Sequence, residues 1–313
     1  MASMAERPDL KVDLGRGLHL RSPVIVASGT FGYGFDAPQV DRAALGAIVS
    51  KATTLRPREG NAPTRIAETP SGMLNAIGLQ NPGVEYVAHV YAPQWATWDL
   101  PVIVNVAGDS VDEYVAVARR LNGVPGVAGL EVNISCPNVQ SGLQFGVDPV
   151  LAAEVTHAVR AVTELPLIVK LTPNVTDIVA VARAVEDAGA DAVSAINTYV
   201  GMAIDVRRRR PIISRGSGGL SGAAIKPLAL HAVWQLAAEV HIPVVGVGGI
   251  MTPGDALEFL LAGATAVQLG TVNYVRPQAA AEIHDGIAAY MVQHGLTDMR
   301  ALPIRSVSVL THV

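Results

Sequence analysis

Short apolar runs alternate with longer amphipathic segments along most of the chain. The apolar runs are rich in β-branched residues and are bounded by glycine or proline, as buried strands usually are. Eight of them occupy residues 24–27, 47–50, 102–106, 129–134, 167–171, 192–196, 244–247 and 266–269. Because these runs are continuously apolar, we predict strands of a parallel sheet that is covered on both faces.

Helical periodicity separates these strands. The clearest helical segments are residues 111–121, 149–162, 177–188, 227–239 and 253–262. Two of them have a recognisable start, because Asp148 stands before Pro149 and Thr252 stands before Pro253. A capping side chain followed by proline is typical of the first turn of a helix.

Eight alternating strand and helix units predict an α/β fold, a closed (β/α)8 TIM barrel, with residues 1–313 as a single domain. A hairpin at residues 10–22 is expected to cover the bottom of the barrel. A doubly wound sheet is the competing architecture, but it needs a G-x-G-x-x-G fingerprint after its first strand. The glycines of residues 29–34 have the wrong spacing for that fingerprint.

Two long stretches, residues 54–82 and 201–224, have no clear periodicity. Irregular segments of this length in a compact fold are usually functional. Barrel enzymes place their active sites at the C-terminal ends of the strands. We therefore expect both stretches to be active-site loops at that end of the barrel.

The composition narrows the class of protein. Half of the 313 residues are hydrophobic and the net charge is −4, which gives no indication of nucleic-acid binding. The apolar run at residues 257–269 is too short to span a bilayer, and residues 1–11 lack the apolar core of a signal peptide. We expect a cytoplasmic protein that does not contact the membrane.

The single cysteine, Cys136, follows the fourth predicted strand. One cysteine excludes an internal disulfide, a cysteine-rich zinc site and an iron–sulfur cluster held by this chain alone. A thiol at the end of a barrel strand is suited to act as a base or nucleophile. The alternative is a packed, inert cysteine, because free cysteines are often buried.

One conspicuous polar residue ends each of five apolar strands: Lys51, Asn105, Asn133, Lys170 and Asn197. A buried ammonium is costly unless an anion or hydrogen-bond acceptors meet it. A single lysine of this kind can instead extend its head group to water. Five convergent positions favour a shared cavity, and two ammonium groups with three amides suit a planar cofactor whose reduced form is anionic.

Glycines follow the last two strands, with Gly248 and Gly249 after the seventh and Gly270 and Thr271 after the eighth. Barrel enzymes commonly bind phosphate in these two loops through backbone N–H groups. Ordinary tight turns are the alternative. The location and order of the glycines favour a phosphate site.

The histidines and the arginine run carry less information. The eight histidines are scattered without ligand spacing, so no metal site is predicted. The arginines at residues 207–210 are predicted to lie in a solvated loop, and a contact for an acidic partner is the alternative.

Together these motifs resemble the dihydroorotate dehydrogenases, a family of flavin-dependent barrels in pyrimidine biosynthesis. The segments that carry the resemblance are residues 75–79 (Asn-Ala-Ile-Gly-Leu), 133–138 (Asn-Ile-Ser-Cys-Pro-Asn), 170–174 (Lys-Leu-Thr-Pro-Asn), 196–198 (Ile-Asn-Thr) and 218–222 (Gly-Gly-Leu-Ser-Gly). The cysteine at position 136 resembles class 1 enzymes. Residues 196–198, with Gly201 and Met202, are most similar to the class 1B, NAD-linked catalytic subunit.

The resemblance implies a role for each matching position. One flavin mononucleotide (FMN) per chain would be bound by Ser28, Lys51, Ala52, Asn105, Asn133, Lys170, Ile196, Gly222, Gly248, Gly249, Gly270 and Thr271. Dihydroorotate or orotate would be bound by Lys51, Asn75, Ala76, Ile77, Gly78, Leu79, Asn133, Asn197 and Thr198.

The same resemblance implies a mechanism and a partner. Cys136 would take the proton from C5 of dihydroorotate, Lys170 would stabilise charge on the reduced flavin, and Lys51 would bridge flavin and substrate. In class 1B, an electron-transfer subunit with FAD and a [2Fe-2S] cluster passes electrons to NAD⁺. Two catalytic and two electron-transfer chains then form a heterotetramer around a homodimer core. A class 1A enzyme would instead be a homodimer that reduces fumarate.

Other functions stay open at this point. A related dihydropyrimidine dehydrogenase would need less anion recognition at residues 75–79. A cofactor-free barrel lyase or isomerase would use the phosphate loops but not the lysines and asparagines. A non-catalytic barrel that serves as an assembly subunit is a further alternative.

Overall fold

The computed structural model describes residues 8–36, 40–134 and 145–303. Its strands are β1 (Val12–Asp13), β2 (His19–Leu20), β3 (Val24–Val26), β4 (Ala47–Val49), β5 (Ile66–Thr69), β6 (Gly72–Asn75), β7 (Val102–Val106), β8 (Gly129–Asn133), β9 (Leu167–Leu171), β10 (Ala192–Ala195), β11 (Tyr199–Gly201), β12 (Ile204–Asp205), β13 (Arg210–Pro211), β14 (Gly218–Ser221), β15 (Val244–Val247) and β16 (Ala266–Leu269).

Eight of these strands form a closed parallel barrel in the order β3-β4-β7-β8-β9-β10-β15-β16. All eight correspond to predicted strands, and every residue in them is buried. Burial of both faces explains why the runs are continuously apolar. The predicted (β/α)8 architecture is confirmed.

The helices lie between and after the barrel strands. They are α1 (Val84–Tyr86), α2 (Ala92–Trp95), α3 (Val111–Leu121), α4 (Pro149–Arg160), α5 (Ile178–Asp187), α6 (Lys226–Glu239), α7 (Pro253–Leu261), α8 (Val272–Val275) and α9 (Ala279–Gln293). A π-helical turn at Val87–Tyr91 joins α1 to α2, and 3-10 turns occur at Arg42–Ala44, Ala223–Ile225 and Met299–Ala301. None of the described helices is long and apolar enough to cross a membrane.

Both predicted helix starts are confirmed. The Asp148 side chain accepts a hydrogen bond from the Val150 N–H at 2.8 Å at the start of α4. Thr252 and Asp255 form a reciprocal capping box at the start of α7, with distances of 3.2 and 2.8 Å. Each cap satisfies backbone donors that have no partner within the helix.

The sequence analysis did not single out four of the described helices: α1, α2, α8 and α9. The region of α1 and α2 is divided into short pieces, and Pro93 lies inside α2. Helix α9 contains Gly286, which lowers its helical propensity. A side chain at Gly286 would overlap Pro253 at the start of α7, so this glycine permits close helix packing.

The N-terminal hairpin consists of β1 and β2, whose register pairs Val12 with Leu20. Leu18 and Leu20 are buried. They pack near Gly129, where β8 begins, and Gly46, which precedes β4. The hairpin therefore lies against the N-terminal ends of barrel strands.

The two long stretches contain more regular structure than predicted. Residues 54–82 include β5 and β6, whereas β14 and the small β12–β13 ribbon lie in residues 201–224. Strands β11, β14, β6 and β5 form an antiparallel sheet outside the barrel, which we call the roof sheet. The prediction of irregular loops was wrong here because the strands are short, and because β6 and β14 contain glycines, which sequence patterns associate with turns.

Candidate active site

A cavity of about 250 Å³ opens at the C-terminal end of the barrel, beneath the roof sheet. The ends of the barrel strands form its floor and walls, while Ile66, Met73 and Asn75 reach it from the roof sheet. The predicted site residues that line it are Ser28, Lys51, Ala52, Asn75, Ile77, Gly78, Leu79, Asn133, Lys170, Ile196, Asn197, Thr198, Gly222, Gly248, Gly249, Gly270 and Thr271.

Three predicted site residues are not placed on this cavity. Asn105 and Ala76 are fully buried and are not among the lining residues. Cys136 lies outside the described residues, so its predicted role remains a prediction.

Lys170 lies on the floor of the cavity as part of a buried ion pair. Its Nζ atom is 3.6 Å from Oε1 of Glu131, and the two side chains are 6% and 0% exposed. A carboxylate beside a buried ammonium offsets part of the cost of removing both charges from water. The sequence analysis missed Glu131, although a carboxylate within the apolar run of β8 was a usable signal.

The Glu131 carboxylate occupies the centre of the barrel. Asn105 Nδ2 donates to Oε1 at 2.7 Å, and Ser194 Oγ and Gln268 Nε2 donate to Oε2 at 2.9 and 2.7 Å. The donors come from β7, β10 and β16, and β16 lies opposite β8 in the strand order. This network holds four strands together through one acidic group.

Asparagines form the wall above Lys170. Asn133 ends β8, and its Oδ1 accepts a hydrogen bond from Asn197 Nδ2 at 3.3 Å. The Thr198 N–H donates to Asn197 Oδ1 at 2.8 Å, and Asn174 Nδ2 donates to the Thr198 carbonyl at 3.0 Å. These contacts fix the two cavity asparagines relative to the chain that follows β10.

The segment after β6 curves into the cavity with unusual backbone angles. Gly78 and Leu79 have φ values of 75° and 55°, in the left-handed region. A Cβ atom at Gly78 would lie 2.7 Å from Asn61, so glycine is required there by conformation and by space. Asn61 also donates from Nδ2 to the Ala76 carbonyl at 2.9 Å, which secures this segment from behind.

The turns after β15 and β16 form the opposite side of the cavity. Gly248 and Gly249 have φ values of 130° and 75°, and Gly249 packs directly on Lys226 at the start of α6. Thr271 Oγ1 donates to Ser221 Oγ at 2.8 Å and so connects the last turn to the roof sheet. Ser221, which the sequence analysis did not single out, lines the cavity next to Gly222.

Tyr274 is a second residue that the sequence analysis missed. It lies at the edge of the cavity, and its hydroxyl donates to the Gly29 carbonyl at 3.0 Å. Partial burial raises the pKa of the Tyr274 hydroxyl above its ordinary value.

The donor set fits a flavin nucleotide. A floor ammonium, Lys170, suits the edge of a ring system that gains negative charge on reduction, and Asn133 adds an amide beside it. The glycine turns at residues 248–249 and 270–271 suit a phosphate group. Among the described residues, no three histidine, cysteine, aspartate or glutamate side chains lie close enough together to hold a metal ion.

Comparison with known proteins gives consistent results. The model of the dihydroorotate dehydrogenase family matches residues 10–291. The chain is 54% identical over 298 residues to the dihydroorotate dehydrogenase B (NAD(+)) catalytic subunit of Geotalea uraniireducens, covering 95% of this chain and 97% of that protein. The protein of the same name from Desulforamulus reducens is 55% identical over 296 residues, covering 94% and 97%.

A solved structure shares the fold at lower identity. The crystal structure of DHODH from Eimeria tenella in complex with ferulenol superposes with a TM-score of 0.79 at 20% identity. The match covers 96% of this chain and 89% of that chain. At this identity the likeness supports the fold alone.

Proposed function

Because the chain belongs to the dihydroorotate dehydrogenase family, we propose that it is the catalytic subunit of an NAD-linked dihydroorotate dehydrogenase. It oxidises (S)-dihydroorotate to orotate in pyrimidine biosynthesis, in the cytoplasm. The observation that carries the proposal is the convergence of Lys51, Lys170 and the asparagines 75, 133 and 197 on one cavity. This set combines cationic and amide groups for both a flavin and a small anionic pyrimidine.

The chain's own residues would hold FMN at the floor of the cavity. Lys170 is fixed by Glu131 and places a positive charge there, while Asn133 and Lys51 border the same space. The glycine turns at residues 248–249 and 270–271 would receive the phosphate. When bound, FMN supplies the hydride acceptor. The resemblance implies Asn105 as a further FMN ligand. Because Asn105 is fully buried, it would act from beneath the residues that line the cavity.

The substrate would lie between the floor and the roof sheet. Asn75, Asn197 and Thr198 face this space, together with the left-handed turn at Gly78 and Leu79. Amide donors and the Lys51 ammonium suit the orotate carboxylate and ring carbonyls. Ala76, which is fully buried, would contribute to the shape of this segment rather than to its surface.

Cys136 would take the proton from C5 of dihydroorotate, which is acidified by the neighbouring carbonyl. A thiol is a suitable base because part of it is ionised near neutral pH. Lys51 would act with it by orienting the substrate against the cofactor. Exclusion of water by the roof sheet would strengthen each of these polar contacts.

Electrons would leave through a partner. The name of the relatives, a B-type catalytic subunit, supports a separate electron-transfer subunit. We propose that this subunit carries FAD and a [2Fe-2S] cluster, and that two copies join two catalytic chains around a homodimer core. The single cysteine of this chain is consistent with a cluster on another chain.

The test is a comparison of substrates and acceptors with purified protein. The isolated chain should show flavin absorbance and oxidise dihydroorotate with an artificial acceptor, but it should reduce NAD⁺ only when the partner is present. Turnover of dihydrouracil in preference to dihydroorotate would show a dihydropyrimidine dehydrogenase instead. Efficient reduction of fumarate by the isolated dimer would contradict the NAD-linked assignment.

A further inference from the structure

A directional chain of hydrogen bonds runs from the cavity into the centre of the barrel. Asn197 Nδ2 donates to Asn133 Oδ1 at 3.3 Å, and Asn133 Nδ2 donates to Asn105 Oδ1 at 3.4 Å. Asn105 Nδ2 then donates to Glu131 Oε1 at 2.7 Å. Every donor in this chain points away from the cavity, and the last acceptor is the carboxylate.

The carboxylate is the only type of group in this series of hydrogen bonds that fixes the direction in which the bonds run. Each asparagine has both a donor and an acceptor, so its amide can serve in either orientation, whereas an ionised carboxylate only accepts. Glu131 receives Asn105 on Oε1, Ser194 and Gln268 on Oε2, and the nearby Lys170 ammonium. All four partners are donors, so both oxygens of the Glu131 carboxylate act as acceptors.

The fixed end determines the orientation of each following amide. Asn105 must present its NH₂ group to Glu131, which leaves its oxygen for Asn133. Asn133 must then present its NH₂ group to Asn105 and its oxygen to Asn197. Asn197 Oδ1 also accepts from the Thr198 N–H at 2.8 Å, which agrees with the same direction.

We infer that Glu131 is a positioning residue that fixes the amide orientation of Asn133 and Asn197 and thereby the hydrogen-bonding pattern that the cavity offers to its substrate. Glu131 does not line the cavity and acts through Asn105. The inference rests on the proposed function in that the substrate is taken to be an orotate-like anion. Its structural part, the orientation of the amides, does not depend on that function.

The decisive experiment moves the carboxylate by one position in the series of hydrogen bonds, from residue 131 to residue 105. Glu131→Gln allows the amide chain to reverse, and we expect orotate to bind about 10- to 100-fold more weakly. Asn105→Asp alone places two carboxylates next to each other, and it should weaken orotate binding at least as much. The double variant Asn105→Asp/Glu131→Gln restores an acceptor-only group next to Asn133. It should bind orotate more tightly than either single variant.

The binding constants are measured by calorimetry with FMN in excess, after circular dichroism has verified folding. Ser194→Ala is the matched control, because it removes a donor to Oε2 but leaves the chain to Asn133 intact. Its orotate affinity should change by less than about threefold. If Glu131→Gln binds like wild type, or if the double variant binds no better than Glu131→Gln, the inference is wrong. If Glu131→Gln does not fold, the comparison of Asn105→Asp with the double variant gives the same decision.

A second readout needs no substrate. The side-chain NH₂ signals of Asn105 and Asn133 in ¹⁵N-asparagine-labelled protein should exchange slowly with solvent in the wild type, since both groups donate to buried acceptors. The Asn133 signal should lose this protection in Glu131→Gln and regain it in the double variant; an unchanged Asn133 signal in Glu131→Gln would overturn the inference. Failure of the wild type to bind orotate would instead refute the proposed function, while these signals would still decide the orientation of the amides.

Discussion

Two ionic clusters, one partly exposed and one buried, lie at different depths of the same barrel and are built differently. At the N-terminal end, Asp191 accepts from Arg16 at 3.0 Å, from Arg160 at 2.9 Å and from the Leu167 N–H at 2.8 Å. In the centre of the barrel, beneath the cavity at the C-terminal end, Glu131 is close to one cation, Lys170, and is otherwise surrounded by neutral donors.

The first cluster connects the hairpin, α4 and the starts of β9 and β10, and Arg16 is 41% exposed. Burial and the neighbouring charge of Arg16 lower the pKa of Arg160, and Asp191 opposes this effect. The second cluster is almost completely buried and leads into a cavity. The difference indicates that the N-terminal cluster contributes to stability, whereas the C-terminal cluster organises a site.

The largest expected effect at the C-terminal end is that of Cys136→Ala. The variant should keep its flavin absorbance but lose about 10²–10⁴-fold in turnover, because general-base catalysis contributes this much. Stopped-flow reduction of the flavin by dihydroorotate measures it. Cys136→Ser is the control: it should be slow near neutral pH and recover at higher pH, since a hydroxyl is a weaker acid. Wild-type rates in Cys136→Ala would disprove the base assignment.

Lys170→Met should lower the rate of flavin reduction by about 10²-fold, because the positive charge at the floor of the cavity is removed. The flavin reduction potential should fall as well, and potentiometric titration measures this directly. Stability also decreases, since Glu131 loses its cation, so rates are compared on protein with verified folding. An unchanged potential would show that Lys170 does not act on the flavin.

Asp191→Asn tests the other end of the barrel. We expect the free energy of unfolding to fall by about 2–4 kcal/mol, because Arg160 loses its ion pair with Asp191 and Arg16 keeps only its contact with Glu164. Urea denaturation measures this loss. The KM for dihydroorotate and the kcat should stay within about twofold of wild type; a large loss of turnover in folded protein would break the contrast between the two ends.

Thr252→Ala should have the smallest effect on stability and turnover. It tests whether a residue at the C-terminal end of the barrel affects catalysis when it does not line the cavity. Thr252 caps α7 at the C-terminal end of the barrel but does not line the cavity. Loss of the capping box should cost about 1 kcal/mol of unfolding free energy, with little change in turnover. Thermal denaturation and steady-state kinetics are the measurements. A kinetic effect larger than the stability effect would mean that this helix start also shapes the site.

The barrel itself could be predicted because each strand is a continuous apolar run between glycine or proline residues. The depth at which a side chain lies within the barrel could not be predicted from the sequence. Asn105 and Asn133 both appear near the ends of strands, yet the register pairs Asn105 with Glu131 and Asn133 with Lys170. Asn105 therefore lies one layer deeper than Asn133, and neighbouring strands rather than its own sequence decide this.

The roof sheet could not be predicted from the sequence because its strands contain glycines. A side chain at Gly218 would lie 2.5 Å from the Asn75 carbonyl oxygen, and one at Gly219 would lie 2.1 Å from Thr198 Oγ1. These glycines permit close approach between strands that are distant in sequence. Local pattern therefore predicts a turn, whereas the long-range contact requires glycine inside a strand.

The roof sheet has a consequence for engineering. Its central pair, β6 and β14, joins Leu74 to Leu220 across a long separation in the chain, and each strand belongs to a different crossover of the barrel. Transplanting one of these crossovers from a relative would leave an unpaired edge above the cavity. Exchange of substrate preference between such enzymes should therefore require both segments to be grafted as a matched unit.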